Sequence, residues 1–448
     1  MGKQVKTVAA FSQDELGEKI WKVRSAKNVE FSDGTAKTGV GISTAFTQDG
    51  SALSLNGVPL VDSVFTVQEY ADGSYKERYA LLADGDLYAW NDAEQTFEDL
   101  RMLGGRMKAV GVTSAVDKGE VQDVMLAGKG GVLFMRGLET TVESVAPVLP
   151  SACFALGRYF FVEKPYTLWY SKPYAPRDHA DSINDGGNIR LPSEYGTIVG
   201  IAAVKEYVYV FYEYGISRIK VGGSAREFRV YPLAYGGGKI HGDSLGVSAI
   251  GEQQIVFLAD DGLYSLHGEH AKRICKELAI RPLHGEYPCY HAEFDGKYFL
   301  SYMSDDGTRK AVVADMETGK GYFAFAPAGL SGFAGKAYCC DGGYLRRLSA
   351  FDGELPSGET YTFETENVAI GKGRKTLDYL ELLGEGECHV WVRSDMGEWK
   401  GDFSMQNGKA SRSLALRGKD FVFTFTLEKG CILRGLRAEF QSPDGKGV

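Results

Sequence analysis

A glycine-bearing turn followed by an apolar, aromatic-rich run recurs along most of the chain, and no other feature restricts the possible folds as much. It is found as ADGDLYAW (83–90), GKGGVLFMRG (128–137), LGRYFFVEKPYTLWYS (156–171) and YVYVFYEYGISRIKVGG (207–223). It returns as IVFLADDGLYSLHG (255–268), FDGKYFLSYMSDDG (294–307) and CDGGYLRRLSAFDG (340–353). Asp-Gly and Gly-Gly steps suit tight hairpins, because glycine takes positive φ without strain. The flanking Val, Leu, Ile, Phe and Tyr suit half-buried strands. The composition agrees: 57 glycines and 12% aromatics stand beside only 13 prolines.

Successive units lie roughly 30 to 50 residues apart, near the length of a four-stranded propeller blade. The spacing is irregular and no Gly-His…Trp-Asp signature occurs, so the expectation is an irregular β-propeller of six or seven blades rather than a WD40 array. A stacked sandwich is the other architecture able to generate this pattern. Near residue 355 the character changes to long alternating strands, in SGETYTFETENVAIG (357–371), KTLDYLELLGEGECHVWVRSD (375–395) and SRSLALRGKDFVFTFTLEKGCILRGLRAEF (411–440). That alternation predicts a separate β-sandwich-like domain. The expected division is an N-terminal arm at 1–22, a propeller at 23–354 and a C-terminal β-sandwich domain at 355–448. A short helix is expected over Ser12 to Ile20, with Ser12 as its cap.

With 44% hydrophobic residues the chain can bury a large core, and its net charge is −9. Overall acidity argues against a clamp on nucleic-acid phosphates, and it fits either a channel past which DNA slides or simple solubility. The seven cysteines are scattered without a Cys-x-x-Cys spacing. They predict neither a disulfide framework nor a zinc site, but folding in a reducing cytoplasm. Adjacent Cys339 and Cys340 are expected on opposite strand faces as packing residues. The first twenty residues lack the apolar core of a signal peptide, and no stretch is long enough to span a membrane.

Several short motifs invite a chemical reading. Gly242-Asp243-Ser244-Leu245-Gly246 matches the Gly-x-Ser-x-Gly elbow and the GDSL hydrolase signature, yet strand-like sequence follows where an elbow needs a helix. His267 and His270 are three apart in a turn, not one helical turn apart as a zinc pair requires. Tyr235-Gly236-Gly237-Gly238-Lys239-Ile240 lacks the first glycine and the Ser/Thr of a phosphate loop. Asp260-Asp261 and Asp305-Asp306 precede glycines and fit turns. Arg346-Arg347 and Lys372, Arg374 and Lys375 belong to solvated turns or to a protein–protein joint. No catalytic, metal or cofactor residue is expected, and no cofactor.

The stretch 168–280 resembles a recurring region of the tail-nozzle and packaged-DNA stabilisation (tail tubular) proteins of short-tailed bacteriophages. The residues that carry it are LWYSKPYAPRD (168–178), the run from INDGGNIRLPSEYG to YGISRI (183–219), GDSLGVSAIGEQQIVFLADDGLYSLHG (242–268) and RICKEL (273–278). VRSAKNVEFSDGTAKTGVGIST (23–44) is similar to the family's opening, and LALRGKDFVFTFTL (414–427) to its closing module. The sequence departs from the pattern where a tryptophan follows the proline loop; Arg177-Asp178-His179 stand there instead.

The resemblance implies a structural virion protein, assembled in the host bacterial cytoplasm into a hexamer-like homo-oligomeric ring around a DNA conduit. Its partners would be copies of itself, other phage tail or neck proteins, and packaged DNA passing without sequence-specific contact, with no membrane. The interface candidates are Tyr174, Arg177 and Tyr195 in the 172–197 loop, Tyr235 and Lys239 in the glycine loop at 235–246, and the C-terminal domain. The alternatives are a receptor- or carbohydrate-binding propeller and a serine hydrolase using Ser244.

Overall fold

The structure is a computed structural model of the 448-residue chain. It describes all residues except 1–3, 13–19, 48–49, 59–60, 72–73, 114–121, 145, 174, 176–178, 180–185, 248–252, 286, 328, 334, 351–352, 370–371 and 443–448. The fold is all-β, a β-propeller and a β-sandwich, with one 3-10 turn among the described residues, at Ala225–Glu227. The chain divides into two compact units: 43–320 with 326–348, and 1–42 with 321–325 and 349–448.

The first unit is a seven-bladed propeller. Five consecutive four-stranded antiparallel sheets cover 61–102, 107–144, 152–190, 198–233 and 240–274. The sixth blade brings Tyr290–Phe294, Lys297–Met303 and Arg309–Asp315, and the seventh brings Leu330–Phe333, Lys336–Asp341 and Tyr344–Ser349. The innermost strands start at 61, 107, 152, 198, 240, 290 and 330; each touches the next, and the last touches the first, so the ring is closed. Asp84-Gly85, Leu156-Gly157 and Asp295-Gly296 place two successive residues at positive φ. That is the backbone of a two-residue hairpin turn, whose twist matches the strands it joins.

Closure uses residues far apart in sequence. The backbone of 43–47 and 50–55 lies along the outer strand of blade seven: Ala45 donates to the Leu345 carbonyl (3.3 Å), Leu345 to Leu53 (2.9 Å) and Leu55 to Gly343 (2.8 Å). Leu53 and Leu345 are buried together with Val61, Val64 and Trp90, which joins the seventh blade to the first. Arg346 fixes the same seam through Thr44 Oγ1 at 2.7 Å.

The second unit is the sandwich. One sheet contains Lys409–Gly418, Lys375–Glu385, Ile432–Gln441, Thr35–Thr38 and Val29–Ser32; the other contains Ile20–Lys27, Tyr361–Thr365, Asp420–Leu427, Glu387–Ser394 and Gly397–Ser404. The strand Gln4–Ser12 serves both. Residues 4–9 pair antiparallel with 436–441, and residues 10–12 pair parallel with 20–22. Strict alternation in Asp420–Leu427 turns Phe421, Phe423, Phe425 and Leu427 inward. They meet Phe11, Trp21, Phe363 and Phe440 in one core.

Two expectations are corrected here. Residues 1–22 do not form an arm, and the propeller does not begin at 23, because the strands Gln4–Ser12 and Ile20–Lys27 complete the sandwich. The helix expected over Ser12–Ile20 fails at both ends: Ser12 closes one strand and Ile20 opens another, while 13–19 lie outside the described residues. Ser12 pairs in parallel with Lys22 and Ile20 with Ala10, and such strand pairing overrides local helix signals.

Candidate functional site at the mouth of the propeller channel

The starting ends of the inner strands enclose a cavity of about 70 Å3, lined among others by Asp62, Arg106, Lys108, Asp243, Tyr290 and His291. Such a volume holds a few waters or a small ion rather than a drug-sized ligand. Arg106 spans it. Its Nη1 pairs with Asp243, its Nε lies 3.6 Å from Asp62 Oδ1, and its Nη2 donates to the Cys289 carbonyl at 3.2 Å. The Tyr290 ring lies under Arg106 at 5.3 Å and also under Arg309 at 5.0 Å. One guanidinium therefore joins blades one, two, five and six across the channel.

Burial works against the Arg106 charge, but Asp243 and Asp62 outweigh it and raise its pKa. Burial also raises the Asp62 carboxyl, against the pull of Arg106. Burial lowers the Lys108 ammonium, with Glu293 and Asp243 opposing. His291 Nδ1 and Glu293 Oε1 are 2.7 Å apart. Among the described residues Lys108 is the cation of this cavity without a hydrogen-bonded or ion-paired partner. The rest are committed to one another, which makes the site a transverse strut. Sequence reading missed it. The available signal was a lysine inside the otherwise apolar strand run MKAVGV, where burial makes a charge costly.

The GDSLG motif lies inside the inner strand Ile240–Val247 of blade five. Ser244 is fully buried; its Oγ donates to the His241 carbonyl at 2.6 Å and accepts from the Leu258 amide at 2.8 Å. The glycines are required by close approach: a Cβ on Gly242 would sit 1.9 Å from the Val199 carbonyl of blade four, and one on Gly246 1.9 Å from Glu293 Oε1 of blade six. Tyr298 donates to the Ser244 carbonyl from the other side. Every part of the motif is thus used in packing blade five between its neighbours.

Of the interface candidates, Tyr174 and Arg177 lie outside the described residues. Tyr195 is half-buried, with its ring over Gly215 and 5.8 Å from the Tyr212 ring. Lys239 pairs with Glu213 at 3.0 Å, a bond that raises its pKa. Because Glu213 also accepts from the Thr197 amide, Lys239 and Tyr195 belong to one corner between blades four and five. Tyr235 donates to the Gly238 carbonyl at 2.8 Å and packs on Phe257 and Tyr264; burial pushes its hydroxyl pKa far up. The two expected loops hold strands as well as turns: 172–197 contains the outer strand Gly187–Arg190 of blade three, and 235–246 runs into Ile240–Val247. His267 and His270 face each other across a hairpin turn.

Fold and site together define a seven-bladed propeller with a strutted channel, joined in one chain to a β-sandwich. No protein-family model matches the chain, and no curated protein sequence matches it. Among solved structures it is similar to BBS1N, crystallised in complex with ARL6DN, at 12% identity and a TM-score of 0.43; the likeness covers 71% of this chain and 98% of that one. It is also similar to the N-terminal domain of Nup159, at 9% identity and a TM-score of 0.37, covering 73% of this chain and 98% of that one.

Proposed function

We propose that this protein is a structural virion component of a short-tailed phage, not an enzyme, and that it works as one subunit of a hexamer-like ring around a DNA conduit. The sequence resemblance suggests the role. The observation that carries it is how the groups with chemical potential are used: Ser244 is spent on two backbone bonds and the channel charges on a strut. A body held this way suits load-bearing. In a single propeller the Arg106 strut crosses the channel mouth from blade to blade, which is at odds with a duplex threading it. The conduit of this reading therefore runs between subunits, with other tail or neck proteins above and below. Ring contacts between identical subunits join two different patches. The corner of Tyr195 and Lys239, with Tyr235 beside it, supplies one of them.

Cryo-electron microscopy of the assembled particle tests the reading. The expected result is a closed ring of this chain around DNA, with the 172–197 and 235–246 segments buried against a neighbour. Absence of the chain from the particle, or its presence there only as a monomer, overturns the proposal.

A further inference from the structure

Blade five carries a second cavity, of about 430 Å3, between the Asp260-Asp261 turn, the end of the strand His270–Ile274 and the segment 275–281. Arg273, Lys276 and Arg281 all line it. Arg273 Nε is buried with no hydrogen-bond partner. Among the described residues, none of the three cations has an ion pair. Leaving a guanidinium nitrogen buried and unmatched is costly, so such an atom points to a missing acceptor.

Glu277 lines the cavity as well and has an interaction of its own, while the two aspartates of the turn do not supply the acceptor. Asp260 Oδ1 is 2.9 Å from His241 Nε2, and its Oδ2 is 3.2 Å from His284 Nδ1. Asp261 Oδ1 accepts from the Gly238 amide at 2.8 Å, and its Oδ2 from the Tyr264 hydroxyl. All four oxygens have their own partners, and the two aspartates brace the turn. The turn in its part seats the arginine. Gly262 has φ of +140°, and a Cβ there would lie 2.7 Å from Arg273 Nε. A larger residue there would strain the turn and push the guanidinium off this hairpin.

We propose that this cavity is a binding site for the phosphate group of a small phosphomonoester. Arg273 takes two phosphate oxygens with its planar fork, and Lys276 and Arg281 close on the third from the rim. Arginine matches an oxyanion bidentately, and three cations on one group suit a phosphate dianion better than a two-oxygen carboxylate. A cavity of this size falls in the range of small-molecule sites and leaves room for an organic portion such as a sugar, against the wall formed by 278–280. The site is complete within one chain and stands independently of ring assembly.

The test is calorimetric titration of the full chain with inorganic phosphate and with ribose 5-phosphate, at constant ionic strength. Saturable one-to-one binding is expected, at least tenfold weaker in Arg273→Ala and in Gly262→Ala, and partly retained in Arg273→Lys. The exposed pair Lys276→Ala with Arg281→Ala should weaken it at least threefold, and this variant decides the matter if Arg273→Ala fails to fold. Citrate and acetate should bind at least tenfold more weakly than phosphate. No saturable phosphate binding, or binding that survives these substitutions, overturns the proposal. So does citrate binding as tightly as phosphate, or Arg273-dependent binding of a DNA duplex without binding of either phosphate probe. None of these results bears on whether the chain forms a ring.

Discussion

The sandwich and the propeller solve the same problem, burying the faces of β-sheets, in opposite ways. The sandwich gathers its apolar side chains into one continuous core, in which Phe363 stacks on Phe425 at 4.7 Å and Phe11 meets both edge-on. The propeller divides its core into separate clusters between successive blades and places polar pins in the seams. Arg158 is such a pin. It is fully buried, donates to the carbonyls of Ser171 (2.8 Å) and Gly223 (3.1 Å), and lies over the rings of Tyr170 and Phe228. A continuous core transmits damage throughout, whereas a divided one confines it.

The largest effect should come from Phe425→Ala, at about 3–5 kcal/mol, the usual cost of emptying a buried aromatic site. Hydrogen exchange should then accelerate together at 20–27, 361–365 and 420–441. Acceleration limited to one strand would break the picture of a single core. Arg158→Ala should cost about 2–4 kcal/mol, through the cavity and two carbonyls left without a donor. Its faster exchange should stay within blades three and four; equal loosening of all seven blades would show that the propeller does not divide as described.

Ser244→Ala should be milder, at about 1–3 kcal/mol, because it strips the acceptor from the buried Leu258 amide. Ester-hydrolysis rates of this variant and the wild type should coincide at background, and a serine-dependent turnover would return the GDSLG motif to chemistry.

The smallest effects concern pH and have opposite signs in the two units. In the propeller, burial lowers the His241 pKa below its ordinary 6.5 in spite of Asp260. Its stability contribution is present above 6.5 and is lost as pH falls through the folded value. In the sandwich, the bond from His389 to Asp402, aided by Glu428, raises the His389 pKa. That contribution is full below 6.5 and is lost as pH rises through the folded value. Denaturant melts read by exchange between pH 5 and 8 should show His241→Asn flattening the propeller's dependence and His389→Asn the sandwich's. Slopes of the same sign would contradict the assignment.

The propeller was legible because its signals are local. Each hairpin carries its own Asp-Gly or Gly-Gly turn and its own apolar run, so blades could be read from sequence, and the expected six or seven proved to be seven. The sandwich was legible only where Asp420–Leu427 alternates. Its strands Gln4–Ser12 and Ile20–Lys27 carry no cue to partners at 432–441 and 361–365, since pairing register is settled by the remote strand. The strut was hidden for a related reason. Asp62, Arg106 and Asp243 come from three blades, and nothing in the spacing of these residues says that a ring will bring them together. The cavity at Arg273 was half visible: Asp260-Asp261-Gly262 read correctly as a turn, but not as the seat of an arginine.

The pairing of residues 4–9 with 436–441 has a consequence for the order in which the protein is made. Residues 43–47 and 50–55, which close blade seven, leave the ribosome before any blade exists and must wait for 343–349. The strand Gln4–Ser12 waits longer still, until Ile432–Gln441 emerges. The propeller cannot close before 343–349 have emerged, nor the sandwich before 432–441, and an interrupted product keeps an unpaired strand edge at each end of its unfinished ring or sheet. Such edges invite pairing with other chains. Completed and truncated molecules thus differ sharply in stickiness, so a cell's quality-control machinery could tell a finished subunit from a fragment before either reached an assembly.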